Sequence, residues 1–125
     1  MKIAVLIVRI LLGLLFAFAS VAYFFKLAQA PELTGDVKTF NDGIAASVYL
    51  MPTVKVFELL CAIAFLTGRF VPLATVVIFP IAVNIFAFHA FLEPSGLPVA
   101  LFVLAANLFL AYYHRDKYKS IFAVK

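Results

Sequence analysis

The run FVPLATVVIFPIAVNIFAFHAFL, Phe70–Leu92, contains no Asp, Glu, Lys or Arg. At about 1.5 Å per residue a helix of this length exceeds the ~30 Å hydrocarbon layer of a bilayer. Three more apolar runs accompany it: Ile3–Leu27, Pro52–Gly68 and Leu97–Tyr113. The first also crosses outright, and the other two come close. Taken together, 66% of the 125 residues are hydrophobic and 13% are charged, against roughly 45–50% and 25% for a soluble domain. The reading is all-α: an integral membrane four-helix up-down bundle forming a single transmembrane domain over residues 1–125, with helices near 3–27, 52–68, 70–92 and 97–113.

The turns support antiparallel neighbours. Thr67-Gly68-Arg69 stops the second span with a glycine, and Glu93-Pro94-Ser95-Gly96 breaks the chain between the third and fourth. Only Ala28–Met51 is long. Within it, Val37–Val48 mixes apolar and polar residues at loosely helical spacing, which predicts a short amphipathic interfacial helix between the first two spans. The N-terminus has some look of a secretory signal, with Lys2, an apolar run and Ala17-Phe18-Ala19-Ser20. Arg9 interrupts the run and apolar sequence continues to Leu27, so it reads as an uncleaved first membrane helix.

Charge orients the bundle. Lys2, Arg9, Arg69, Arg115, Lys117, Lys119 and Lys125 fall on one side of a four-span topology, and Lys26, Lys38 and Lys55 on the other. The positive-inside rule then places both termini and the Arg69 turn in the cytoplasm. The net charge of +4 reflects that asymmetry and the basic tail His114–Lys119. It points to anionic lipid and not to nucleic acid. The tyrosines lie at or just beyond run ends, as an interfacial belt requires.

Ionisable groups inside spans are costly in lipid and must face protein or a watery cavity. Arg9, Lys55 and Glu58 are such groups, and Asn84 and Asn107 are amides at comparable depth. Counting from the run ends puts Arg9 ~9 Å and Glu58 ~15 Å in from the cytoplasmic side. That spacing predicts an Arg9–Glu58 ion pair with both asparagines nearby, either locking helix register or handling protons or anions. It also predicts that any small-molecule site opens toward the outer half, bounded by Lys55, Glu58, Asn84 and Asn107. Pro80 frees a carbonyl near Asn84, and Phe86, Phe88 and Phe91 offer flat walls. Arg9, Gly13, Phe16 and Ser20 share a stripe whose small members admit a close neighbour.

Some chemistry is excluded. One cysteine, Cys61, allows no intramolecular disulfide or dithiol couple. His89 and His114 stand ~25 Å apart along the membrane normal, too far for one bis-histidine haem. His89 remains a secondary candidate on its own. No haem, nicotinamide or flavin motif is present, no metal-ligand cluster, and no catalytic motif that would make the chain an enzyme alone.

The combination of Arg9-Ile10-Leu11-Leu12-Gly13, Lys26-Leu27, Lys55-Val56-Phe57-Glu58-Leu59-Leu60, Thr67-Gly68-Arg69-Phe70, Pro80-Ile81-Ala82-Val83-Asn84 and Phe88-His89 resembles the DoxX family of small bacterial four-helix membrane proteins. Cys61 and Ala62, and Ser20 and Ala22, stand where the family usually has glycine. The resemblance implies an accessory or redox-linked membrane subunit associated with quinone, working beside other membrane or redox subunits or as a homo-oligomer in the lipid bilayer. A small dimeric proton-coupled transporter using Glu58, and an assembly factor without a small-molecule site, are the alternatives.

Overall fold

The computed structural model describes residues 2–26 and 34–123. Five helices run in order: α1 Lys2–Phe25, α2 Gly35–Ala46, α3 Leu50–Thr67, α4 Val71–Phe91 and α5 Leu97–Tyr113, with short 3₁₀ turns at Pro94–Gly96 and Arg115–Tyr118. The expected end of the first span at Leu27, and the connection that follows it to Leu33, lie outside the described residues.

Local chemistry explains the boundaries. α3 starts two residues earlier than Pro52, because proline fits a helix's first turn, where its missing N–H costs nothing. It ends on Gly68, whose φ of +75° closes the helix in the left-handed region and whose N–H donates to the Ala64 carbonyl. Phe70 is left-handed as well, at φ +59°, so α4 opens at Val71 and not at Phe70. α2 is the helix expected between the first two spans. It buries no residue, carries an exposed Lys38–Asp42 ion pair at 2.7 Å, and leans Phe40 on Phe88 with ring centroids 5.2 Å apart.

α1 packs most extensively on α3 and α4 on α5, α3 bridges to α4, and α1 meets α5, closing a four-helix ring. Inside it, the large side chains Leu12, Phe16 and Phe65 share one core cluster with Ala62, Ala74, Ala82 and Ala106. α5 buries Ala100, Val103, Asn107 and Leu110, and α4 buries Val71, Ala74, Ile78 and Ala82, each a stripe at helical spacing. The outer surface is equally apolar: Ile7, Leu11, Leu14 and Phe18 on α1, Leu60 and Ile63 on α3, and Leu73, Val76 and Val83 on α4 are exposed. The most apolar 18-residue stretches of the four spans have mean hydropathies of 1.7 to 2.6, yet only 22–28% of each stretch is buried. A surface so apolar is stable only where its surroundings are lipid.

Candidate functional site

Gly13 sets the level of α1 against α3. A Cβ there would sit 2.9 Å from Leu66 Cγ and 3.1 Å from Phe65 Cβ, so the two backbones touch at this point. Counting outward along antiparallel helices brings Tyr23 level with Lys55, Ser20 level with Glu58, and Arg9 level with the Gly68 turn. Two contacts agree with that register. Lys55 Nζ lies 6.0 Å from the Tyr23 ring centroid, and a Cβ at Gly68 would meet Arg9 Nη1 at 2.8 Å.

The register separates Arg9 from Glu58, and the expected pair between them does not form. Glu58 is paired within its own helix: Lys55 Nζ lies 3.0 Å from Glu58 Oε2, with the two side chains 19% and 4% exposed. Arg9 rests instead at the C-terminal end of α3, where the helix dipole favours a cation. Depth counted from run ends fails because α1 reaches past α3 on the side of the termini, placing Arg9 level with the turn. Ser20 Oγ is buried without a hydrogen-bond partner, as is Glu58 Oε2 apart from its ionic contact.

The two asparagines also part company. Asn107 is fully buried, and its Nδ2 donates to the Thr75 carbonyl at 3.1 Å. A carbonyl can only accept, so the amide orientation is set and Oδ1 is left without a partner. Asn84 faces outward from α4 and is exposed. No hydrogen bond or ion pair joins Asn84 or Asn107 to Lys55 or Glu58, and the outer-half site framed by those four residues is not assembled. His89 is occupied locally: Nδ1 contacts the Glu93 carbonyl at 3.0 Å, and its ring packs on Gly96, where any Cβ would collide with it. Among the described residues no group of three or more His, Cys, Asp or Glu side chains is placed to hold a metal ion.

Two cavities open toward the end that carries the termini. One, about 280 Å³, lies between α4, α5 and the tail, and is lined by Thr75, Val76, Phe79, Asn107, Tyr118 and Phe122 among others. Tyr118 closes it, donating its hydroxyl to the Pro72 carbonyl at 2.8 Å. Burial pushes the Tyr118 phenol up from its ordinary range, so it stays protonated and holds the tail down. Pro80, four residues on, leaves the Val76 carbonyl without the usual helical N–H donor. The other cavity, about 490 Å³, is bounded by Lys2, Arg9, Gly68, Val71, His114 and Lys117 among others. Sequence reasoning missed Thr75, Tyr118 and His114. A tyrosine in a basic tail reads as an interfacial anchor, and only the fold-back of the 3₁₀ turn onto α4 reveals it as a wall.

Four antiparallel apolar helices with buried polar groups and an apolar outer surface define a small integral membrane bundle. The DoxX family model matches residues 4–90, which covers most of α1 and all of α2 and α3 and nearly all of α4, and the chain belongs to the DoxX family. No curated protein and no solved structure matches it.

Proposed function

We propose that the protein is an accessory subunit of a quinone-linked oxidoreductase in the bacterial inner membrane, and that it holds the quinol form of the carrier between α4, α5 and the tail. The observation that carries this reading is Asn107, which lines an otherwise apolar cavity and whose buried Oδ1 is an acceptor without a partner. A polar atom left that way costs roughly 1–3 kcal/mol, which a ligand hydroxyl would recover. Oδ1 accepts, so the ligand it suits brings an O–H donor, as a quinol does and a quinone does not. Phe79 and Phe122 supply apolar walls for its ring. The test is whether a quinol survives gentle extraction together with the chain.

Asn84 supports the word accessory. Its exposed amide lies ~20 Å along α4 from Val71, within the hydrocarbon depth, where lipid offers no hydrogen bond. A polar residue of a neighbouring membrane helix satisfies it best. The assembly-factor reading shares this feature, and a retained quinol separates the two. The transporter reading needs Glu58 free to exchange its partner, and Lys55 occupies it at 3.0 Å.

The basic asymmetry supports cytoplasmic termini. With Cys61 replaced, a cysteine at position 119 is expected to be shielded from an impermeant thiol reagent in intact cells, and one at position 38 to be labelled. The reverse labelling would invert the topology.

A further inference from the structure

We propose that the cleft at the termini end of the bundle, between the start of α1, the α3–α4 turn and the end of α5, binds a phosphate-bearing anion. Lys2, Arg9, His114 and Lys117 surround it, and none of its lining residues is acidic. The nearest acid in sequence, Asp116, has a 77% exposed side chain and pairs with Lys119 at 3.5 Å, away from the opening.

Three features make this a site and not only a basic surface. Arg9 Nε, on α1, and His114 Nε2, just past the end of α5, are both buried without a hydrogen-bond partner, and both residues line the cleft. Gly68 lacks the Cβ that would strike Arg9 Nη1 at 2.8 Å, leaving the guanidinium room to lie flat against the turn. The N-terminal end of α4, at Val71 and Pro72, lines the same opening, and its positive dipole end offsets the negative ends of α3 and α5 that Gly68 and Tyr113 bring there. Burial, reinforced by Lys117, lowers the His114 pKa, so the ring is neutral near pH 7 and offers hydrogen bonding without adding charge.

The chemistry matches phosphate better than a carboxylate. A guanidinium, two ammonium groups and an imidazole approach from separate elements, and a phosphate's several oxygens can meet them together. A carboxylate has two oxygens and serves one side. Such a group reaches this place either as the head of an anionic phospholipid or as free phosphate.

The full chain in neutral detergent decides the matter. Native mass spectra with phosphatidylglycerol and with phosphatidylcholine, whose choline cancels its phosphate charge, test the lipid. Thermal unfolding in inorganic phosphate against chloride at equal ionic strength tests the free ion. Phosphatidylglycerol retained over phosphatidylcholine, without stabilisation by phosphate, assigns a lipid headgroup; stabilisation by phosphate assigns the free anion. In either case Arg9→Gln with Lys117→Gln is expected to reduce binding at least about tenfold, and Arg115→Gln with Lys119→Gln, outside the cleft, to change it little. Should the Arg9 variant fail to fold, Lys2→Gln with Lys117→Gln, at two exposed positions, serves in its place. No binding of either probe, equal retention of the two lipids, or equal loss from the Arg115 and Lys119 variant would overturn the proposal.

Discussion

Lys55→Met is expected to destabilise the folded chain by about 3 kcal/mol, the lower end of the cost of breaking a buried ion pair, and Glu58→Gln by clearly less. The asymmetry follows from exposure. Glu58 is 4% exposed in the middle of α3, so losing Lys55 leaves a carboxylate with no cation and no water. Lys55 is 19% exposed and closer to the N-terminal end of α3, so without Glu58 its long stem can carry the ammonium toward the interface. The double change Lys55→Met, Glu58→Gln should recover a large part of the loss. Arg9→Gln should add independently to either, because Arg9 sits at Gly68. Unfolding in detergent of the three single variants and of their three pairwise combinations, treated as double-mutant cycles, checks this. Coupling between Arg9 and Glu58 comparable to that between Lys55 and Glu58 would return the pairing to the one expected from sequence.

Gly13→Ile should separate α1 from α3, and its effect should rival that of Lys55→Met. Gly13→Ala asks Leu66 to move by a few tenths of an ångström, since its Cβ would stand 2.9 Å from Leu66 Cγ. The longer side chain has no such escape, because Phe65 on the other flank is fully buried. Overpacking of this kind costs about 1–3 kcal/mol. It would also slide Tyr23 from Lys55 and Arg9 from Gly68, so the loss should appear in helix-pair crosslinking as well as in stability. A cysteine pair one turn along, at Ala17 and Ala62, which the same register brings level, should close readily with Gly13 in place and should not in Gly13→Ile. Unchanged crosslinking would mean that α1 and α3 do not meet at this level.

The architecture was legible because its causes are local. Apolar run length marks a span, Gly68 marks a left-handed stop, and the mixed pattern after Val37 marks α2. The stripe from Arg9 through Gly13 to Ser20 was legible too, since small residues at helical spacing admit a close neighbour. What stayed hidden depends on how the helices slide and turn against one another. Run ends do not mark a common plane, so α1's reach past α3 moved Arg9 away from Glu58. α4 and α5 are apolar all round, so periodicity could not reveal that Asn107 points inward while Asn84 points out. The Tyr118–Pro72 contact joins residues far apart in the chain, and no local pattern signals it.

The most direct test of the account is the lipid-soluble content of gently extracted protein. Wild-type chain and the Glu58→Gln variant should both carry a quinol through purification, and Asn107→Leu should lose it, with retention falling about tenfold for the loss of one buried hydrogen bond. Retention that depends on Glu58 and not on Asn107 would contradict the proposed site, and wild-type protein free of any such ligand would contradict the redox-linked function itself.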